Sequence, residues 1–193
     1  MVRILLVRPG ATDYLQQGRI QGVLEVPLSE EGAHEATRLS EELAGMNLDA
    51  LYSSDSEHAL QTAEAIAKTL GVKLKPLDSL RNLDHGLWQG MLVEEVKRKQ
   101  PKVYRQWQEQ PESVCPPGGE MVCNARCRVR SALTKLLKKH KGGTVGLVVP
   151  EPLASLVRAY LEQSEVGDLW RAGGQHGTWE IIEVEPRSLA HTS

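Results

Sequence analysis

Val2-Arg-Ile-Leu-Leu-Val-Arg8 is an apolar run broken only by Arg3 and closed by Pro9-Gly10. It is rich in β-branched residues and does not alternate with polar ones. That pattern suits a strand covered on both faces, as in a parallel sheet flanked by helices. Thr144 to Val149 repeats it near the other end of the chain. Two such strands predict that ligands bind in the loops after them, because open α/β sheets bind ligands at the carboxyl ends of their strands. The loops in question are Arg8-Pro-Gly10 and Pro150-Glu-Pro152.

The segments between these runs read as alternating helices and strands. Ser29 opens a helix with Ala33, Ala36, Leu39 and Leu43 on one face. Ala50 to Ser54 is a short strand. A helix carrying Ala59, Ala63, Ile66 and Leu70 follows, stopped by Gly71. Val72 to Leu77 reads as a strand, and 91–110 as helical with a break at Pro101. Pro116-Pro-Gly-Gly119 is a loop. Glu120 to His140 is a long helix with Val122, Val129, Leu133, Leu136 and Leu137 inward. Pro152 suits the first turn of a helix with Leu153, Leu156, Val157 and Tyr160 on its buried face. Trp179 to Val184 is a last strand. The alternation predicts an α/β fold with a mostly parallel sheet, one domain over 1–186 and a loose tail over 187–193.

Composition narrows the function classes. A formal net charge of -2 over 193 residues gives no reason to expect nucleic acid or an anionic membrane as partner. No stretch reaches the roughly 20 apolar residues of a transmembrane helix, and the start is too short for a signal peptide; a cytoplasmic protein is expected. Cys115, Cys123 and Cys127 are odd in number and do not form a secreted disulfide framework. They are expected to be small buried hydrophobes, with a thiol cluster as the alternative reading. Trp88 and Trp107 are expected to cover the pocket or the core.

Leu6-Val-Arg-Pro-Gly-Ala-Thr-Asp13 resembles the histidine phosphatase signature Leu-Val-Arg-His-Gly-Glu-Thr-Asp, with two changes. The resemblance continues through Gly18-Arg-Ile-Gln-Gly22, Val26-Pro-Leu-Ser29, Gly32, Tyr52-Ser-Ser54 and Ala59-Leu-Gln-Thr-Ala63. It extends to Leu80, Gly86-Leu-Trp-Gln-Gly90, Pro117-Gly-Gly-Glu120 with Arg128, and Leu147-Val-Val149. It covers nearly the whole chain in order, and implies the three-layer α/β/α fold of phosphoglycerate-mutase-like proteins. It also implies a mechanism. A histidine attacks phosphorus, two arginines and a second histidine hold the phosphoryl oxygens, and a carboxyl group protonates the leaving oxygen.

Carried over position by position, the first arginine is Arg8 and the nucleophile falls on Pro9. The second arginine falls on His58, the proton donor on Asn82 and the second histidine on Glu151; Ala11 and Leu15 also depart from the pattern. Proline has no nucleophilic side chain and asparagine no titrating proton. The resulting expectation is a catalytically silent member of the family with a binding or regulatory role. Its pocket residues are Arg8, Gly10, Thr12, His58, Asn82 and Glu151, with none of Pro9, His58, Asn82 and Glu151 catalytic. It takes no cofactor and no metal. Its partner is an unidentified protein or small molecule, and a homodimer is the oligomer to test. Arg8 and Glu151 are expected to pair and fill the phosphate space. Two alternatives stay open: a phosphoryl-transfer enzyme with other residues, for which His58 is the nearby nucleophile, and a metal-assisted enzyme using His58, Glu151, Asp13, Asp84 or His85.

Overall fold

The computed structural model describes residues 1–185, so the tail expected at 187–193 lies outside the described residues. Five strands form one sheet: β1 (Val2–Arg8), β2 (Ala50–Ser53), β3 (Leu74–Pro76), β4 (Thr144–Val148) and β5 (Thr178–Val184), in the order β3-β2-β4-β1-β5. β1 to β4 run parallel, and β5 lies antiparallel to β1. Eight α-helices occur among the described residues: α1 (Asp13–Gln16), α2 (Glu30–Glu42), α3 (Glu57–Leu70), α4 (Val93–Lys99), α5 (Pro101–Glu109), α6 (Val122–Lys139), α7 (Leu153–Glu162) and α8 (Leu169–Gly173).

The pleat of β1 sorts its side chains between two cores. Leu5 and Val7 join Leu39 and Leu43 beside α2, and Ala59, Ala63 and Ile66 of α3, on one face. Ile4 and Leu6 join Val129 and Leu133 of α6 and Leu153 and Val157 of α7 on the other. Both faces are therefore buried, which is why β1 and β4 carry no polar alternation. β1 leads toward α2 on one face, and its neighbour β4 leads to α7 on the other. Adjacent strands that diverge in this way open a crevice at their carboxyl ends.

Most of the expected elements form, with shorter bounds. Pro101 does break the 91–110 helix, standing at the first position of α5. Three details differ. Ala33 is exposed, because Gly32 is the residue of that turn that packs inward. Pro152 is the N-cap of α7 rather than part of its first turn. Cys115, Cys123 and Cys127 are all exposed; α6 turns its Val122, Ala125, Val129 and Leu133 stripe to the core, which leaves Cys123 and Cys127 on the outer side. Trp88 and Trp107 are core residues, packed edge-to-face, with Trp170 against both. The short α1 and α8 have no counterpart in the sequence reading.

Candidate active site

The crevice is built by the two loops singled out from sequence. Arg8, the last residue of β1, is buried, and so is Glu151, just past β4. The Arg8 Nε donates to Glu151 Oε1 at 2.6 Å, so the expected pair forms. The Glu151 Oε2 accepts from the Ser155 hydroxyl at 2.8 Å and the Ser155 amide at 3.1 Å. Glu151 thus stands just before the N-cap of α7, at the helix end whose dipole favours negative charge. A second carboxylate, Glu180 of β5, meets Arg8 Nη1 at 2.8 Å and lies 3.6 Å from Arg158. Sequence reasoning missed it because only the antiparallel pairing of β5 with β1 brings it there.

Burial pushes the Glu151 carboxyl above its ordinary value, against the pull of Arg8 and Ser155. Burial likewise pushes the His58 imidazole down to about 4, so it is neutral at pH 7. His58 stands in the first turn of α3, where the helix dipole also opposes protonation. Its Nδ1 lies 3.3 Å from the Gln21 side-chain nitrogen. Gln21 also pairs with the Thr12 hydroxyl. An amide nitrogen only donates, so Nδ1 is the accepting nitrogen and the neutral ring carries its proton on Nε2.

Asn82 works differently from the other pocket residues. Its Nδ2 donates to the Gly22 carbonyl at 3.2 Å and the Glu151 carbonyl at 2.8 Å; its Oδ1 accepts from the amides of Leu83 at 2.9 Å and Leu153 at 3.3 Å. Both donors and both acceptors are committed to backbone, so Asn82 ties three segments together beneath the site. Arg128 holds that segment from behind, donating to the carbonyls of Ser79, Arg81 and Asn82 and to Glu120. Gly86 and Gly119 let the two loops touch, since a Cβ at either would collide with the other's backbone.

Pro9, His58, Asn82 and Glu151 line one small cavity with Leu15, Gln21, Pro150 and Gln175. Its volume is about 10 Å³, room for about one water. Gly10 and Thr12, expected in the pocket, do not line it. The Gly10 amide donates to Thr62 Oγ1 at 3.1 Å, and Thr12 caps α1. The cavity borders a cleft of about 240 Å³ that shares Leu15, Gln21 and Glu151 with it. The cleft adds Arg19, Val93, Glu94, His85, Leu169 and Trp170. His85 is buried against Trp107, and burial holds it at about 4, so it is a core residue at the edge of this cleft. Among the described residues no group of three or more histidine, cysteine or carboxylate side chains converges as a metal site.

A buried arginine, a neutral histidine and a carboxyl after three neighbouring parallel strands, β1, β2 and β4, define an anion-handling crevice in an α/β protein. The histidine phosphatase superfamily (branch 1) profile matches residues 4–192, and the chain belongs to that family. It is 35% identical over 188 residues to a protein of Hydrogenobacter thermophilus named phosphoserine phosphatase 1, spanning 97% of this chain and 89% of that one. It is also 35% identical over 151 residues to the metal-independent phosphoserine phosphatase of Arabidopsis thaliana, spanning 77% and 63%. It spans 46% of a longer relative from Mycobacterium tuberculosis named as a bifunctional protein. Among solved structures, the mycobacterial glucosyl-3-phosphoglycerate phosphatase bound to VO3 superposes with a TM-score of 0.84 at 26% identity, covering 95% of this chain and 98% of that one.

These relatives correct the expectation of a catalytically silent, non-enzymatic protein. Relatives that match most of its length are named as phosphatases. The expectation rested on the departures from the family signature at Pro9, His58, Asn82 and Glu151 taken together. The cavity still has an uncharged imidazole and a carboxyl of raised pKa in its wall, and the Arg8 guanidinium holds that carboxyl. No described helix is long and apolar enough to cross a membrane.

Proposed function

We propose that the chain is a phosphomonoester phosphatase in which His58 and Glu151 take the parts carried by other residues in the family signature. The observation that carries this reading is the neutral His58 imidazole lining the same cavity as Glu151, with Arg8 on that carboxylate. A neutral imidazole has the lone pair that attack on phosphorus requires. The substrate phosphate displaces the Glu151 carboxylate from Arg8 and takes the guanidinium in its place. Glu151, freed from Arg8 and with its pKa raised by burial, takes up a proton. Gln21 releases Nδ1, whose lone pair forms the N–P bond, the P–O ester bond breaks, and the Glu151 proton passes to the leaving oxygen. Water then attacks phosphorus, gives its proton back to Glu151, and releases phosphate and free His58. The leaving group lies in the 240 Å³ cleft beside Arg19, Glu94 and Trp170. Phosphoserine is the first substrate to try, since relatives at 35% identity carry that name.

The test is release of inorganic phosphate from p-nitrophenyl phosphate and from phosphoserine by the parent and by His58→Ala. The expected result is release by the parent and none above buffer from the variant, with far-UV circular dichroism unchanged. Equal release from both, or none from the parent, overturns the proposal.

A further inference from the structure

The cleft of about 240 Å³ beside the His58 cavity takes its apolar surface from Leu15, Ile20, Val93, Pro152, Leu169 and Trp170. Most of its polar groups are already given to partners within the protein. Gln21 pairs with Thr12 and His58, and Glu151 with Arg8 and Ser155. The Trp170 indole N–H donates to the Tyr104 carbonyl at 2.9 Å. Arg19, the cation of this lining, donates through Nη1 to the Gly90 carbonyl at 2.7 Å and through Nε to Gln17 at 2.8 Å. His85 is buried and uncharged at pH 7. Glu94, exposed, adds a negative charge to the lining.

We infer, on the phosphatase reading above, that this cleft selects phosphomonoesters whose alcohol is uncharged, apolar and about one aromatic ring in size. An apolar cavity of about 150 Å³ holds benzene, so this one has room for a ring and a short link to the ester oxygen. The ring packs on Trp170, Val93 and Leu169. The alcohol leaves by the scheme already given, with the Glu151 proton on its oxygen.

Serine as the alcohol suits this wall poorly. Its ammonium and carboxylate would lose water on entering, and a charge that is buried without a partner is costly. The carboxylate would also face Glu94 and Glu151, while Arg19 is turned toward Gly90 and Gln17.

The experiment compares kcat/KM for 2-phenylethyl phosphate and for phosphoserine, read as released inorganic phosphate. Both are esters of primary alcohols, so the P–O bond that breaks is alike in the two. The expected ratio favours 2-phenylethyl phosphate by at least about tenfold, since one methylene in an apolar pocket is already worth about that much. Val93→Asp puts a carboxylate into the wall. Aspartate suits the first residue of a helix, so α4 keeps its start, and the preference should be lost. Saturation-transfer NMR with 2-phenylethanol and with serine reads the cleft without turnover. Transfer to 2-phenylethanol and none to serine is expected, and Val93→Asp should abolish it. That NMR pattern in a protein that releases no phosphate would overturn the phosphatase reading alone. Equal or better turnover of phosphoserine, transfer to serine, or an unchanged preference in Val93→Asp would each overturn the selectivity. So would loss of phosphoserine turnover in Arg19→Gln, which would show Arg19 holding the carboxylate.

Discussion

Glu151→Gln separates the two jobs given to that carboxyl. The Arg8–Glu151 contact is 2.6 Å long, between side chains that are 7% and 1% exposed, so water screens it little. A phosphate seated on Arg8 would lie roughly 4 Å from the Glu151 charge, which costs about 4 kcal/mol at an effective dielectric near 20. Glutamine keeps the shape and removes the charge. Inorganic phosphate should then bind roughly one to three orders of magnitude more tightly at pH 7. In the parent, phosphate binding should strengthen as pH falls, because Glu151 must take up a proton; in the variant that dependence should vanish. Turnover should fall, since glutamine has no proton to give. Stability should drop by about 1–3 kcal/mol, less than for a fully orphaned buried charge, because Glu180 remains on Arg8 at 2.8 Å. Isothermal titration with phosphate across pH, a urea denaturation curve and a turnover assay read all three. Unchanged phosphate affinity in the variant would refute the reasoning.

Acid should weaken the fold through its histidines. Burial holds His58 and His85 at about 4, below the ordinary 6.5, so the unfolded chain binds more protons between those values. Their stabilising contribution is complete above about pH 6.5 and is lost as pH falls toward 4, by about 3 kcal/mol per histidine. The raised Glu151 carboxyl acts with the opposite sign, its contribution shrinking as pH rises through its native value. The urea midpoint should therefore fall from pH 7.5 to 4.5, and His85→Gln should flatten that slope; an unchanged slope in the variant counts against the assignment. Asn82→Ala removes four hydrogen bonds that join the Gly22, Leu83 and Glu151–Leu153 segments. It should cost about 2–4 kcal/mol in a denaturant titration. Gly32→Ala should destabilise by about 1–3 kcal/mol, since its Cβ would strike the Ala11 backbone, while Gly142→Ala, with open space around it, should be neutral by the same thermal melt.

The strands and the crevice were legible in the chain because burial leaves a direct mark on composition. β1 and β4 are apolar throughout since helices cover both faces, and Gly71 and Pro101 stop or divide helices by local backbone rules. Pattern alone pointed to the loops after β1 and β4, and Arg8, His58, Asn82 and Glu151 were placed in one pocket by the ordered resemblance to the family signature. Short elements were not legible. α1 and α8 hold too few residues to show a period and are fixed by capping from Thr12 and Asp168. The exposure of Cys123 and Cys127 was also hidden, because cysteine fits either face of a helix and only the packing of α6 decides which.

By itself the sequence determined which side chains stand at the ends of β1 and β4, since those positions follow from local pattern and order along the chain. It also determined that position 9 offers no side-chain nucleophile. Only the tertiary structure decided what those side chains do to one another. Glu180 reaches Arg8 through a strand pairing that spans nearly the whole chain. Asn82 turns its whole amide to the backbone, and His58 loses its charge because α3 and the Gln21 loop bury it. Charge state and hydrogen-bond partners depend on what surrounds a group in space, and that is set by contacts between residues far apart in sequence.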